Sequence, residues 1–248
     1  MGEQWITDGR PSRDKFFWNS TDSCIYTKKA WDRWRSQNLF WSTFTPAIKG
    51  EPFAVSAVWS NDNTNYLAFR GSQTTDDALM DAKADLVTYT PPAGSPIKDI
   101  QVHHGFYDVF NGLDPSLNDL LSGIARSRGK LVVTGHSLGS ALATLTVPLA
   151  CAAGIPSANI LHYNQASPQV GNSNFQAYYN GLGVKTFRLV NTYDAVAAYV
   201  AVGVEAPFGA GYPTEKERHN PCCSYSYALF NPDAPYNPDI DKCMPPSV

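Results

Sequence analysis

The sequence predicts an α/β fold: a single domain over residues 1–248, built on a mainly parallel central sheet with helices on both faces. Three observations predict it. A chain of 248 residues is long enough for one large domain and short for two. Apolar residues make up 43% and charged residues 17%, so a sizeable core is available. Short apolar runs alternate with stretches of helical periodicity, as parallel strands joined by crossover helices require.

In chain order, residues 1–24 are polar and aromatic and read as a surface arm. Residues 53–59 and 66–70 read as two strands around a turn at Asn61, Asp62 and Asn63. Residues 114–128 read as a helix capped by Asp114, with Pro115 in its first turn and Leu117, Leu120, Leu121 and Ile124 on one face. Residues 130–134 form a short apolar strand, after which Ala141, Leu142, Leu145 and Leu149 recur at helical spacing. Residues 158–163 and 185–190 read as further strands. The proline- and aromatic-rich C-terminal stretch reads as loops packed across the sheet.

Several functions are disfavoured at this level. A net charge of -3 gives no electrostatic case for nucleic acid or an anionic membrane surface. No apolar run is long enough to span a bilayer, so no transmembrane segment is expected. Met1 to Trp5 lack the basic and apolar regions of a signal peptide, which fits a cytosolic protein or a mature secreted one. Asn19, Ser20 and Thr21 form a glycosylation sequon. Of the five cysteines, Cys151 lies in an apolar helical run and reads as a buried thiol. Cys24, Cys222, Cys223 and Cys243 lie toward the two ends. A disulfide joining those ends, with Cys24–Cys243 as one pairing, is therefore expected, and it favours secretion over the cytoplasmic alternative. No C-x-x-C pair occurs, and neither metal nor organic cofactor is implied.

The chemistry concentrates at Gly135-His136-Ser137-Leu138-Gly139, between the 130–134 strand and the helix after it. A strand that turns abruptly into a helix crowds the backbone around the intervening residue. Glycines on either side relieve the clash, and the serine projects above the sheet. The same pattern also suits an ordinary strand-to-helix turn with an N-cap serine. A serine nucleophile needs a base and an acid that orients it. In α/β-hydrolases the chain order is serine, acid, histidine. After Ser137 only His162 and His219 remain, and no Asp or Glu lies between residues 138 and 193. His219 is then the base. Among Asp194, Glu205, Glu215 and Glu217, Asp194 stands just past the 185–190 strand, where a loop lifts it beside the nucleophile. Glu215 and Glu217, flanked by Lys216 and Arg218, read as a solvated loop. Alternative roles are a surface histidine for His219 and a helix N-cap for Asp194.

Five collinear segments between about residues 53 and 200 resemble the fungal-type class 3 lipases, a family that includes feruloyl esterases and mono- and diacylglycerol lipases. They are Phe69-Arg70-Gly71-Ser72, Val102-His103-His104-Gly105-Phe106, Val133 through Gly139, Gln165 through Asn172, and Val190-Asn191 with Asp194. The resemblance implies an α/β-hydrolase fold. It further implies oxyanion-hole donors from Ser72 and from the Leu138 backbone N–H, and a structural His103 that braces the elbow. The chain departs from the family in having Ala195-Val196-Ala197-Ala198 after the acid, Gln169 in place of arginine, and a short spacing from Asp194 to His219. The acyl-pocket loop between them must be trimmed.

In the resembling lipases a short helix after the oxyanion strand covers the site and opens at an oil surface. Here residues 74–86 read as that helix. Thr74 with Asp77 makes a capping-box-like start, Asp77, Asp81 and Asp85 fall on one face, and Leu79, Ala82 and Leu86 on another, with Met80 between. A simple surface helix is the alternative. The resemblance therefore implies a carboxylic ester hydrolase acting on lipid or other ester substrates, first of all a triacylglycerol lipase at an oil–water interface. The alternatives are a feruloyl or soluble-ester esterase, a phospholipase A1 or partial-glyceride lipase, and, remotely, a non-catalytic binding protein.

Overall fold

The computed structural model describes residues 39–44, 54–59, 63–71, 85–113, 116–197 and 202–243, with the first two stretches described as backbone only. A seven-stranded sheet runs in the order β1 (Leu39–Phe44), β2 (Ala54–Trp59), β3 (Thr64–Phe69), β6 (Lys130–His136), β7 (Ile160–Gln165), β8 (Lys185–Asn191), β9 (Val204–Phe208). β1, β2 and β3 pair antiparallel, and every pairing from β3 to β9 is parallel. A separate two-stranded ribbon joins β4 (Leu86–Thr88) to β5 (Gln101–His103). The fold is that of an α/β-hydrolase.

The core lies against one face of the sheet. β6 alternates, burying Leu131 and Val133 on that face, and Ile160 of β7 joins them. α3 (Leu138–Ala152) is apolar on nearly all sides and buries Leu142, Leu145 and Val147 completely. It is flanked by α1 (His104–Asn111), which buries Phe106 and Phe110, and by α2 (Ser116–Arg126), which buries Leu117, Leu121 and Ile124. α4 (Ser173–Gly181) begins at Asn172, whose side chain accepts the Phe175 N–H. On the opposite face Tyr163 stacks on Phe187, its neighbour across β7 and β8, with ring centroids 5.4 Å apart.

Several expectations change here. Leu86, assigned to the end of a lid helix, lies in strand β4 opposite His103; the hydrogen-bonded ribbon overrides the helical spacing. Residues 72–84, and with them Ser72, Leu79 and Met80, lie outside the described residues, as do Asp114 and Pro115 at the start of the 114–128 helix. Cys243 pairs with Cys223 across 20 residues of chain, so the expected Cys24–Cys243 bridge does not form. Cys24 lies outside the described residues. Cys151 is a free thiol as expected but only half-buried, and Cys222 is free and buried. The C-terminal stretch is not merely loops. It contains α5 (Glu215–Arg218), a continuous helical segment over residues 221–230, and α6 (Ile240–Cys243).

Candidate active site

Parallel pairing brings the carboxyl ends of β6, β7 and β8 to one edge of the sheet, where ligands of open α/β sheets bind. Ser137 follows β6 directly and holds φ 57° and ψ -127°, a left-handed backbone that a serine adopts only under constraint. The constraint is steric. A Cβ on Gly135 would stand 2.2 Å from the Gly139 carbonyl oxygen, and one on Gly139 would stand 2.3 Å from that of Phe69. Hydrogen bonds complete it. The Ser137 N–H donates to Gln165 O at 3.0 Å, and the buried Ser140 hydroxyl lies 2.6 Å from Gly135 O and 2.7 Å from Gln165 O. The ends of β6 and β7 are thus laced together beneath the serine.

β8 delivers Asp194, the candidate acid. Its last residue, Asn191, is fully buried, and its side chain spans two loops: Nδ2 donates to Ala210 O and Arg218 O, while Oδ1 accepts from Ala210 N–H. Asp194 closes the turn that follows, its N–H donating to Asn191 O at 3.0 Å. Below it the buried Arg188 donates to Ser167 O and Ala197 O and pairs with Glu205. The candidate base, His219, ends α5, a single turn started by a capping box between Thr214 and Glu217.

These elements converge. His219 Nε2 stands 2.8 Å from Ser137 Oγ, and His219 Nδ1 stands 2.8 Å from Asp194 Oδ2. Ser137, His219 and Asp194 are all buried. Tyr225, on the 221–230 segment, donates its hydroxyl to the same Asp194 oxygen at 2.6 Å and accepts the Asn191 N–H. Val196 N–H donates to Asp194 Oδ1 at 2.9 Å. Burial alone would push the Asp194 carboxyl up, but its hydrogen bonds and the charge of His219 outweigh that and hold it below the usual carboxylate value. His136 packs its ring 4.8 Å from that of His219, and burial followed by the His219 charge holds it well below the usual imidazole value. Leu138 opens α3, where the first N–H groups have no acceptor within the helix. His103 packs on Phe106 at 4.4 Å. His162, the other histidine after Ser137, is buried against Tyr179, away from this chain of hydrogen bonds. Among the described residues no three His, Cys, Asp or Glu side chains gather as a metal site.

Residues 66–203, more than half of the chain, match the model of the family described as lipase (class 3). This chain belongs to the class 3 lipase family. A lipase of Rhizomucor miehei is 31% identical over 155 residues, covering 58% of this chain and 39% of that protein. A chloroplastic phospholipase A1 of Arabidopsis thaliana is 26% identical over 201 residues, covering 70% of this chain and 38% of that protein. The chain thus spans about two-fifths of the length of these curated relatives. A solved triacylglycerol lipase, described as having a serine-protease triad for its catalytic centre, superposes with a TM-score of 0.61 at 27% identity. The match covers 76% of this chain and 75% of that one.

Two residues of the site were not marked in the sequence. Tyr225 carries no motif, and only its place six residues past a candidate base pointed toward it. Glu215, taken for a solvated loop residue, is three-quarters buried at the side chain and accepts the Ala195 N–H at 2.7 Å. Its flanking charges misled because Arg218 folds back onto it.

Proposed function

We propose that this protein is a triacylglycerol lipase acting through a covalent acyl-enzyme, with Ser137 as nucleophile, His219 as general base and acid, and Asp194 as the group that orients the imidazole. The continuous hydrogen-bonded chain from Ser137 Oγ through His219 to Asp194 carries this reading. Ser137 attacks the ester carbonyl as its proton passes to Nε2 of His219. The imidazolium is stabilised by Asp194 and then protonates the departing alcohol. Water, deprotonated by the same nitrogen, releases the acid. Leu138 N–H at the start of α3 faces charge that exists only in the tetrahedral state, a contribution of about 3–4 kcal/mol for one such donor. Ser72 is assigned the second donor on the family resemblance alone. The Cys223–Cys243 disulfide supports an oxidising, extracellular setting.

The substrate is assigned by measuring initial rate against tributyrin concentration past its solubility limit, with Ser137→Ala as the control. Hydrolysis that S137A abolishes supports the mechanism, and a steep rise as the emulsion forms supports an interfacial lipase. The similarity to a phospholipase A1 favours a second reading, which hydrolysis of phosphatidylcholine in preference to tributyrin would select. Smooth saturation below the limit would point to soluble esters, with methyl ferulate tried next. Turnover undiminished in S137A would overturn the serine mechanism.

A further inference from the structure

The 25 residues from Asp194 to His219 leave little chain to hold acid and base in register. The connection runs out through β9 and returns to a single helical turn, α5, too short to be rigid by itself. Side chains fix it: Asn191 holds the Arg218 carbonyl, and Glu215 holds the acid loop. Glu215, the first residue of α5, reaches back to the acid loop and accepts the N–H of Ala195, immediately after Asp194, at 2.7 Å. Its other carboxylate oxygen accepts from Arg218 Nε at 2.9 Å, and Arg218 Nη1 donates to Tyr212 O at 2.9 Å. The backbone carbonyl of Glu215 accepts the His219 N–H at 2.8 Å. One residue therefore touches the acid loop with its side chain and the base with its backbone.

We infer that Glu215 is a positioning residue of the reaction, clamping the Asp194 loop to the turn that presents His219 and so setting the distance over which His219 takes the serine proton. The inference rests on the Ser137–His219–Asp194 mechanism proposed above. Holding a carboxylate this close to Asp194 is unfavourable in itself. Burial, and then Asp194, push the Glu215 carboxyl up, while the Ala195 N–H and Arg218 act in the other direction. Glu217, two residues on, provides the contrast: its side chain turns to Thr214 and closes the capping box.

The test is steady-state hydrolysis of p-nitrophenyl butyrate below its solubility limit, together with the rate of Ser137 labelling by a fluorophosphonate. Misplacement by about an ångström costs on the order of 100-fold in rate. Glu215→Ala should lower kcat by about 10- to 100-fold, with KM within about twofold, and slow labelling in parallel. Glu215→Gln keeps an acceptor for the Ala195 N–H and should restore kcat to within about threefold of wild type. Lys216→Ala, at an exposed position on the same turn, should leave kcat within about twofold of wild type. If E215A does not fold, Glu215→Asp, which withdraws the carboxylate by one methylene, should fall between wild type and the expected E215A value. Wild-type kcat in E215A or E215D, an E215Q as slow as E215A, or an equal loss in K216A would overturn the role of Glu215. An inert wild-type enzyme would overturn the mechanism itself, and so is distinct from these outcomes.

Discussion

At the scale of single residues, the site is held by donors to one carboxylate. Asp194 Oδ2 accepts from both His219 and Tyr225, and Oδ1 accepts from Val196 N–H. Removing one of several donors to a fully buried charge leaves it partly unsatisfied, at about 1.5–3 kcal/mol. Tyr225→Phe should therefore lower the unfolding free energy by about 2 kcal/mol in urea titrations and also reduce kcat, because a less tightly held carboxylate orients His219 less well. An unchanged midpoint would mean that water replaces the hydroxyl. Ser137, His219 and Asp194, which the hydrogen bonds join, could be singled out in the sequence, since chain order and the absence of any acid between residues 138 and 193 left few combinations. Tyr225 and Glu215 could not. Tyrosines are common core residues, and a Glu-Lys-Glu-Arg run has the composition of an exposed turn until one arginine folds inward.

At the scale of elements, the two ends of the site are secured differently. The nucleophile end depends on backbone approach. With only 2.3 Å between a Cβ at residue 139 and the Phe69 carbonyl oxygen, no flexible side chain can yield; backbone must move. Gly139→Ala should destabilise the fold by more than about 4 kcal/mol, beyond the usual range for one substitution, and be seen as failure to recover folded protein or a collapse in Tm. The base end depends on a small satellite core. Ala210, Tyr212, Cys222, Cys223 and Ile240 pack together, Arg218 of α5 donates to the Tyr212 carbonyl, and the Cys223–Cys243 bridge closes that unit. For a loop of this length the chain-entropy model assigns about 3 kcal/mol. Replacing both Cys223 and Cys243 with Ala should lower Tm and raise protease sensitivity within residues 208–243, while α3 and its elbow remain protected from amide exchange. Uniform loss of protection would show that the C-terminal unit does not unfold separately. The strand–elbow–helix unit was legible because its hydrophobic period and glycines are local signals. The disulfide was not, because pairing among four cysteines is decided by where the chain folds back, and the end-to-end bridge expected from spacing gives way to one closing a short C-terminal loop.

At the scale of the whole molecule, burial disfavours the charged form of two histidines. His162 is completely buried in β7, with Nδ1 2.5 Å from the Tyr179 hydroxyl, which in turn lies 3.0 Å from Thr186 Oγ1. Burial pushes it down to about 3. His136, beside the site, is lowered for the same reason. An unfolded histidine titrates near 6.5, so between that value and the folded one the unfolded chain binds protons that the native state refuses. The sign follows: the stability is fully present above about pH 6.5 and is lost as pH falls toward 3, at about 1.4 kcal/mol per pH unit for each such histidine. Asp194 adds to the loss only below the unfolded carboxylate value, since its own folded value lies lower still. His104, raised by its hydrogen bond to Asp85, has the opposite sign but is exposed and contributes little. Against a total stability of about 5–15 kcal/mol, His162 and the half-buried His136 should together make the fold measurably less stable in moderate acid. Urea unfolding between pH 7.5 and 4.5 should show stability falling steadily below pH 6.5. His162→Gln should be less stable than wild type at pH 7.5, because it disturbs the Tyr179 contact, yet show a shallower pH dependence because one of the two titrations is gone. Parallel curves for variant and wild type would mean that His162 is protonated in the native core and that burial does not exclude its charge.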